Sequence, residues 1–334
     1  MNLPPFVRLI LCPLSVVYGG FVLLRAWLYA KGWLKQRRLQ GKVISVGNLT
    51  LGGTGKTPMV IWLAENFLAE GKRVAILSRG YRGSAGTSDE IELMKHRLQD
   101  RVIFGVGKDR FWEGNRIEQQ HPVDIFLLDD GFQHLPLARD VNILLMDATR
   151  PVHRTSLLPC GSLREPVSAM GRADLLIITR VENQPEAIES IAKLGEYPVF
   201  AAVTKLVGFR LHGDTALLQI SEIGSGPFFA FCGIGNPEAF VRDLQSWGMP
   251  MAGKMFFADH HRFTAADGRA LEKAAQSSGA KAFVVTEKDV QNLFSVRFEV
   301  LPLYVAVIDI EIKPEAEFRA AIDGIMHRDS GVQA

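Results

Sequence analysis

One run of the chain, Val43-Ile-Ser-Val-Gly-Asn-Leu-Thr-Leu-Gly-Gly-Thr-Gly-Lys-Thr-Pro58, has the residue types needed to hold a phosphate chain. Glycines let backbone N–H groups come close to phosphate oxygens, and a helix N-terminus adds partial positive charge. Gly52, Gly53, Thr54 and Gly55 supply that loop, Lys56 reaches the outer phosphates, and the Thr57 hydroxyl suits Mg2+. Pro58 fits the first helical turn, where its missing N–H costs nothing. The run departs from GxxxxGK[ST] at its first position, where Thr50 stands in place of glycine. The plain alternative is a glycine turn between a strand and a helix.

Three acidic groups come next. Asp129 and Asp130 end an apolar stretch, Ile125–Leu128, where a metal-binding acid of a P-loop enzyme belongs. Adjacent carboxylates repel unless a cation or donor offsets them, so Mg2+ nearby is physically sensible. Gln133 and His134 follow as either substrate contacts or turn-forming groups. Asp89-Glu90 follows a Gly/Ser-rich loop and reads either as surface acid or as a metal- and hydroxyl-facing pair. Asp259-His260-His261 offers a histidine backed by an acid, either a proton acceptor or a capping group. Basic residues cluster in loops that should share one strand-end face: Arg79, Arg82, Lys108, Arg110, Arg164 and Arg180. Guanidinium forks suit phosphate oxygens, of a nucleotide or an anionic substrate, or they balance the acids.

The elements that must position these groups read as α/β. Val43–Val46, Val74–Leu77, Ile125–Leu128, Ile143–Met146, Leu175–Thr179 and Val199–Val203 are near-continuous Val/Ile/Leu runs. Such runs indicate strands covered on both faces, hence a mostly parallel sheet of the P-loop NTPase kind. Met59–Leu68 and Gln184–Leu194 read as helices between them. A polar stretch, Thr204–Ile220, reads as a join to a second group: a strand at Phe228–Phe231, a helix from Asn236-Pro237, and a helix with a capping box at Thr264–Asp267. Strands at Ala282–Thr286 and Tyr304–Ile310 complete it. The expected domains are a membrane-associated helical segment (1–38), a P-loop core (39–210) and a smaller C-terminal α/β domain (211–334).

Charge separates the head from the body. Residues 1–64 carry eight Lys/Arg and no acid, leaving 30 basic and 36 acidic groups on the remainder of a 334-residue chain of net charge +2. Residues 9–24 are uncharged, and Trp27, Tyr29 and Trp33 then alternate with Lys31, Lys35, Arg37 and Arg38, as a membrane–water interface favours. The basic flank puts the body in the cytoplasm. Pro13 and the absence of a small-residue cleavage site argue against a cleaved leader. Three cysteines without CxxC spacing suggest neither a disulfide framework nor a zinc site, which suits a reducing compartment. Nucleic acid is not an expected partner of a net-acidic body, and no obligate protein partner is indicated.

In order from residue 46 to 289, the motifs VGNLTLGGTGKTP, LSRGYRG, SDE, VGKDR, DDGFQH, LREP, GIGNP, DHHRF and TEKD occur. Together they resemble the tetraacyldisaccharide 4′-kinase family over nearly the whole chain. The resemblance implies transfer of the γ-phosphoryl of ATP to the 4′-hydroxyl of a tetraacylated glucosamine disaccharide 1-phosphate, giving lipid IVA at the inner membrane. It implies that Lys56 and Thr57 hold phosphates and Mg2+, with Glu90, Asp129 and Asp130 on the metal side. Asp89 would accept the hydroxyl proton, supported from the smaller domain by His260 rather than His261. Asn48, Arg79, Arg110, Gln133 and Arg164 would bind substrate or phosphate. ATP over GTP rests on the resemblance, since TEKD is similar to a base-reading motif of GTP-binding proteins. The runner-up is a membrane-associated ATPase switch of the partitioning type, which also pairs a GG-x-GKT loop with a membrane helix.

Overall fold

A computed structural model describes residues 5–80, 88–150, 152, 155–294 and 296–328, so Arg82 and residues 83–87 of the Gly/Ser-rich loop lie outside the described residues. In chain order, α1 (Pro5–Ala30) leads to β1 (Lys42–Asn48), α2 (Lys56–Ala69), β2 (Val74–Ser78), α3 (Asp89–Leu98), β3 (Ile103–Val106) and α4 (Arg110–Glu118). Next come β4 (Ile125–Asp129), β5 (Val141–Asp147), β6 (Leu175–Thr179), α5 (Ala187–Ala192), β7 (Val199–Leu211), β8 (Phe228–Cys232) and α6 (Pro237–Ser246). The chain continues through β9 (Met251–Phe256), α7 (Ala265–Ser277), β10 (Ala282–Thr286), the short α8 (Glu287–Val290), β11 (Leu303–Lys313) and α9 (Glu315–Met326).

Two compact units result. The first comprises residues 1–81, 98–203 and 310–334, and the second residues 82–97 and 204–309. The expected division was linear. Instead, the segment that opens α3 groups with the second unit, and the C-terminal helix α9 groups with the first. The stretch expected as a polar join from residue 204 is strand as far as Leu211. Apolar Leu206, Val207, Phe209 and Leu211 sit among its polar residues, and Phe209 is fully buried in the core of the second unit.

In the first unit the strand order is β3-β2-β4-β1-β5-β6-β7, with every adjacent pair parallel. Parallel strands end on one side, so Asn48, Ser78, Asp129, Asp147 and Thr179 close five strands along one edge. All five are polar and all are buried. That edge is where open α/β sheets bind ligands. Helix α2 packs Met59, Val60, Leu63 and Phe67 inward. Phe318 of α9 meets Trp62 at 5.7 Å and Phe200 at 5.0 Å between ring centroids. Burying each such ring contributes about 1.5–3 kcal/mol, which explains why the chain terminus returns to this unit.

In the second unit the order is β7-β11-β10-β8-β9, parallel wherever β8, β9, β10 and β11 adjoin. One core holds Phe209, Phe228, Phe240 and Leu244, and the other is an aromatic cluster. There Phe231 contacts Phe263 at 5.5 Å and Phe283 at 5.8 Å. The capping box at Thr264 and Asp267 forms as expected, opening α7. Helix α6 starts at Pro237, but Asn236 makes no side-chain capping bond. Strands β3 and β9 were not anticipated, because Ile103-Phe-Gly-Val106 and Met251-Ala-Gly-Lys-Met-Phe256 lack a sustained β-branched run. The disulfide joining Cys12 to Cys160 was also not anticipated. It links residues 148 apart, which come together only because α1 packs beside the 155–163 segment.

Candidate active site

β1 runs into the glycine loop, and α2 starts at Lys56. Gly52 and Gly55 have φ of 106° and 85°, the left-handed region that side chains resist. A Cβ at Gly47 would come 2.6 Å from Phe132 Cβ, so only glycine lets β1 pass the DDGFQH turn. The loop is braced from two sides. Leu51 N–H donates to Ser162 O at 2.7 Å, and Arg164 N–H to Leu49 O at 2.7 Å. From the end of β6, Thr179 Oγ1 donates to Thr54 O at 3.2 Å and Arg180 Nη1 to Gly53 O at 3.0 Å. Arg180 is itself held by Asp147 at 2.6 Å. Arg180 was one basic residue among several in the sequence; its work here is to fix the loop.

Cations converge beside this loop. Lys56 Nζ lies 3.4 Å from Asn48 Oδ1 and 3.5 Å from Asp130 Oδ1. Arg164 Nη1 donates to both Asp130 oxygens, at 2.8 and 2.7 Å. Burial works against an ionised Asp130, yet Lys56 and Arg164 hold its carboxyl below the usual carboxylate range. Asp129 is buried and accepts from Ser78 Oγ at 3.1 Å. Gln133 Nε2 donates to Asn48 O at 2.9 Å. Thr57 lies in the first turn of α2, and Arg79 follows the end of β2.

Buried Arg110 donates from Nη1 toward His134 Nδ1 at 3.4 Å. Burial, reinforced by Arg110 and Arg139, pushes His134 down to about 3, so its imidazole is neutral. With Nδ1 accepting, the proton sits on Nε2. Among the described residues, His134 Nε2, Arg110 Nε, Asn48 Nδ2 and Thr54 Oγ1 are buried without a hydrogen-bond partner. All four can donate. Unpaired buried donors are costly, about 1–3 kcal/mol each, and an anion's oxygens would satisfy them.

Helix α1 touches the same region. Ser15 Oγ donates to Leu157 O at 3.0 Å, Tyr18 Oη to Arg164 O at 2.8 Å, and Arg25 Nη1 to Gln133 O at 3.2 Å. A Cβ at Gly19 would meet Leu157 at 2.7 Å. Positions 15, 18, 19 and 25 form one helical stripe. The opposite face exposes apolar side chains, Val16 at 74% and Phe21 at 65%, with Val17 and Trp27 beside them. By length and composition Leu11–Ala30 could cross a membrane, at a mean hydropathy of 1.6.

The second unit gathers Asp89, Glu90, Asp259, His260, Lys288 and Asn292. Asp89 and Glu90 open α3, whose positive end favours anions. His260 Nδ1 lies 3.0 Å from Asp89 Oδ2, and Asn292 Nδ2 donates to the same oxygen at 2.7 Å. Lys288 Nζ approaches His260 Nε2 at 3.3 Å, Asp259 Oδ1 at 3.3 Å and Glu90 Oε1 at 3.5 Å. In the neutral imidazole Lys288 donates to Nε2, leaving Nδ1–H to donate to Asp89. Burial alone would raise Asp89, but hydrogen bonds from His260 and Asn292 and the Lys288 charge bring it below the ordinary carboxylate range. The bond to Asp89 raises His260, against burial and the charge of Lys288. His260 has φ of 61°, a left-handed conformation that costs a non-glycine residue about 1–3 kcal/mol.

His261 is engaged elsewhere. Its Nε2 meets Asp267 Oδ2 at 3.1 Å, and its ring stacks on Phe257 at 4.7 Å. Asp89 and His260 belong to the same unit, whereas the sequence had assigned them to different domains. The TEKD carboxylate is spent internally as well. Asp289 is 1% exposed and accepts from Gly233 N–H and Thr286 Oγ1, so it has no outward oxygen for reading a base. Sequence reasoning gave no role to Asn292, Lys288 or Thr179: Asn292 and Thr179 sit in no spacing that marks chemistry, and Lys288 lay within TEKD, read only as a motif similar to a base-reading one.

A parallel sheet that ends in a glycine loop, a lysine and paired acids defines a P-loop protein that handles nucleoside triphosphates. The family model for tetraacyldisaccharide-1-P 4′-kinase (LpxK) matches residues 7–327. A relative named tetraacyldisaccharide 4′-kinase from Geobacter sulfurreducens is 37% identical, covering 93% of this chain and 92% of its own. One of the same name from Pelobacter propionicus is 39% identical over 87% and 84% of the two chains. Among solved structures, LpxK from Aquifex aeolicus, described as an "apo" form in complex with ATP, aligns with a TM-score of 0.76 at 31% identity, covering 96% of this chain and 100% of that one. The chain belongs to the tetraacyldisaccharide-1-P 4′-kinase family and is a kinase of lipid A biosynthesis. The partitioning-type switch falls with that membership.

Proposed function

We propose how residues of this chain serve phosphoryl transfer from ATP to the 4′-hydroxyl of a tetraacyl disaccharide 1-phosphate. The first unit holds phosphates: loop N–H groups of Gly52–Gly55, Lys56, and the unpaired donors of Asn48 and Thr54. Arg79, Arg110, Gln133 and Arg164 serve the anionic lipid headgroup. The second unit takes the proton. Asp89 accepts it from the 4′-hydroxyl as O4′ bonds to the γ-phosphorus, and the bond to the β,γ-bridging oxygen breaks, giving ADP. The observation that carries this reading is the Asp89 carboxylate, kept ionised by two donors on Oδ2. Oδ1 remains for the hydroxyl.

The oxygen donors beside the loop fit Mg2+, a hard cation that takes one or two carboxylates and keeps phosphate and water ligands. Thr57 and Asp129 would hold it, with Asp130 adjacent and already paired with Lys56 and Arg164. When bound, the ion offsets negative charge on the phosphates. Glu90 was expected on the metal side; its approach to Lys288 supports assigning it to that ion pair instead.

For location, we favour α1 lying in the cytoplasmic surface of the inner membrane. Its polar stripe is bonded to the body at Ser15, Tyr18 and Arg25, while its apolar face points away. That pattern suits a helix lying along the interface. The test is an assay of the full chain in detergent micelles containing the disaccharide 1-phosphate, Mg2+ and ATP or GTP. A product heavier by one phosphate, formed faster with ATP, supports the reading. ATP hydrolysis without lipid product overturns it.

A further inference from the structure

The proton acceptor sits in a closed ring of hydrogen bonds, and one member of that ring has no assigned role. Starting from Asp89 Oδ2, His260 Nδ1 is 3.0 Å away. The His260 N–H donates to Gly233 O at 2.9 Å, which helps hold the left-handed backbone at that histidine. Gly233 N–H donates to Asp289 Oδ1 at 2.9 Å. The Asp289 carbonyl accepts from Asn292 N–H at 2.9 Å. Asn292 Nδ2 returns to Asp89 Oδ2 at 2.7 Å and closes the ring. Asn292 also accepts from Phe263 N–H at 3.1 Å, just past the two histidines. A Cβ on Gly233 would come 2.9 Å from Ala258 O and 3.3 Å from Asp289 Oδ1, so the ring closes only around glycine.

We infer that Asn292 is a positioning residue for phosphoryl transfer, aiming the Asp89 carboxylate so that Oδ1 meets the incoming hydroxyl. The inference rests on Asp89 being the proton acceptor. The argument is geometric. A carboxylate held by one donor turns about its Cβ–Cγ bond; two donors arriving at the same oxygen from different segments remove that rotation. His260 reaches it from the loop before α7, and Asn292 from the turn after α8. Only an amide N–H, not the amide oxygen, can pair with an ionised carboxylate, so this end of Asn292 is fixed. The charged groups around Asp89 are His260, Lys288, Glu90 and Asp259, with buried Asp289 behind Lys288. Asn292 is the neutral member of this group. It can orient the carboxylate without competing for its proton.

The test uses the full chain in detergent with ATP, Mg2+ and the disaccharide 1-phosphate, measuring kcat and both KM values for Asn292→Ala, Asn292→Asp, Asp89→Asn and Asp89→Asn/Asn292→Ala. Asn292→Ala should lower kcat about 10- to 100-fold with both KM values within about twofold, since misaim by an ångström costs that much. Asn292→Asp keeps the shape but turns an oxygen toward Asp89, and should lower kcat further. On the Asp89→Asn background, Asn292→Ala should change kcat no further. Wild-type kcat in both Asn292 variants overturns the inference. So does a loss that adds fully to that of Asp89→Asn, or one that appears in KM and thermal midpoint alone. If Asp89→Asn keeps wild-type kcat, the proton-acceptor reading itself fails, and the role of Asn292 with it.

Discussion

The phosphate loop and the Asp89 ring are built on opposite plans. The loop is contiguous: fourteen positions from Val43 to Lys56 carry strand, turn and cation, and the fold adds braces from Ser162, Arg164, Thr179 and Arg180. The ring is assembled from distant segments. Asp89, Gly233, His260 and Asn292 come from four parts of the chain, joined by side-chain and backbone hydrogen bonds. On the proposed roles, the difference follows from what each must hold. Phosphates are large, charged and already satisfied by repeated N–H groups of one loop. A single proton needs one carboxylate aimed to within a few tenths of an ångström, which takes donors from several directions.

The largest expected effect breaks the first region. Lys56→Ala should lower kcat/KM at least about 10³-fold, the scale of removing a cation from a phosphoryl-transfer site. Steady-state kinetics with varied ATP check it, and a loss below tenfold would show that other cations carry the phosphates. In the second region, Asp89→Asn should lower kcat about 10²- to 10⁴-fold while ATP affinity changes little. A change confined to affinity would move Asp89 out of the proton-accepting role. Next in size is a pH effect at the ring. Burial raises the Asp289 carboxyl to about 6, so between about pH 4 and 6 the folded chain keeps a proton that the unfolded chain has lost. Stability should therefore fall as pH rises through that window, by about 3 kcal/mol in all, and level off above it. Asp289→Asn should flatten the profile, and an unchanged slope in that variant would assign it to another group.

Smaller effects sharpen the contrast. Gly47→Ala must displace Phe132 and should destabilise the first unit by about 1–3 kcal/mol, read as a lower thermal midpoint. A wild-type midpoint would mean the strand can shift past Phe132. For the adjacent histidines, His260→Ala should lower kcat about tenfold. His261→Ala should lower the thermal midpoint, because it loses Asp267 and the Phe257 stack, with kcat kept. Equal effects on kcat would remove the distinction between them.

These regions also differ in how far the residues announced them. The parallel sheet was legible because Val, Ile and Leu runs double as buried strands, and the loop because its glycines, Lys56 and Thr57 are adjacent. The capping box at Thr264 is local and was equally plain. The pairing of Asp89 with His260 came through resemblance. Spacing alone left both residues undecided, since a sequence separation of 171 hides a 3.0 Å contact. Asn292 could not be read at all: an asparagine after a short helix has the composition of any turn. The Cys12–Cys160 link and the grouping of residues 82–97 with the second unit were hidden for the same reason. They are products of tertiary packing rather than of local pattern.

Hydrogen bonds at Ser15, Tyr18 and Arg25, with the Cys12–Cys160 link, fasten α1 to the body like hinges on a door, and hinges set more than proximity. If α1 lies in the lipid surface as proposed, a body so fastened is kept from rolling relative to that surface and meets substrates that arrive by sliding within the bilayer plane. Turnover on the interfacial reading then follows the mole fraction of substrate in the surface. Adding inert detergent at constant total substrate should slow the enzyme by dilution in two dimensions.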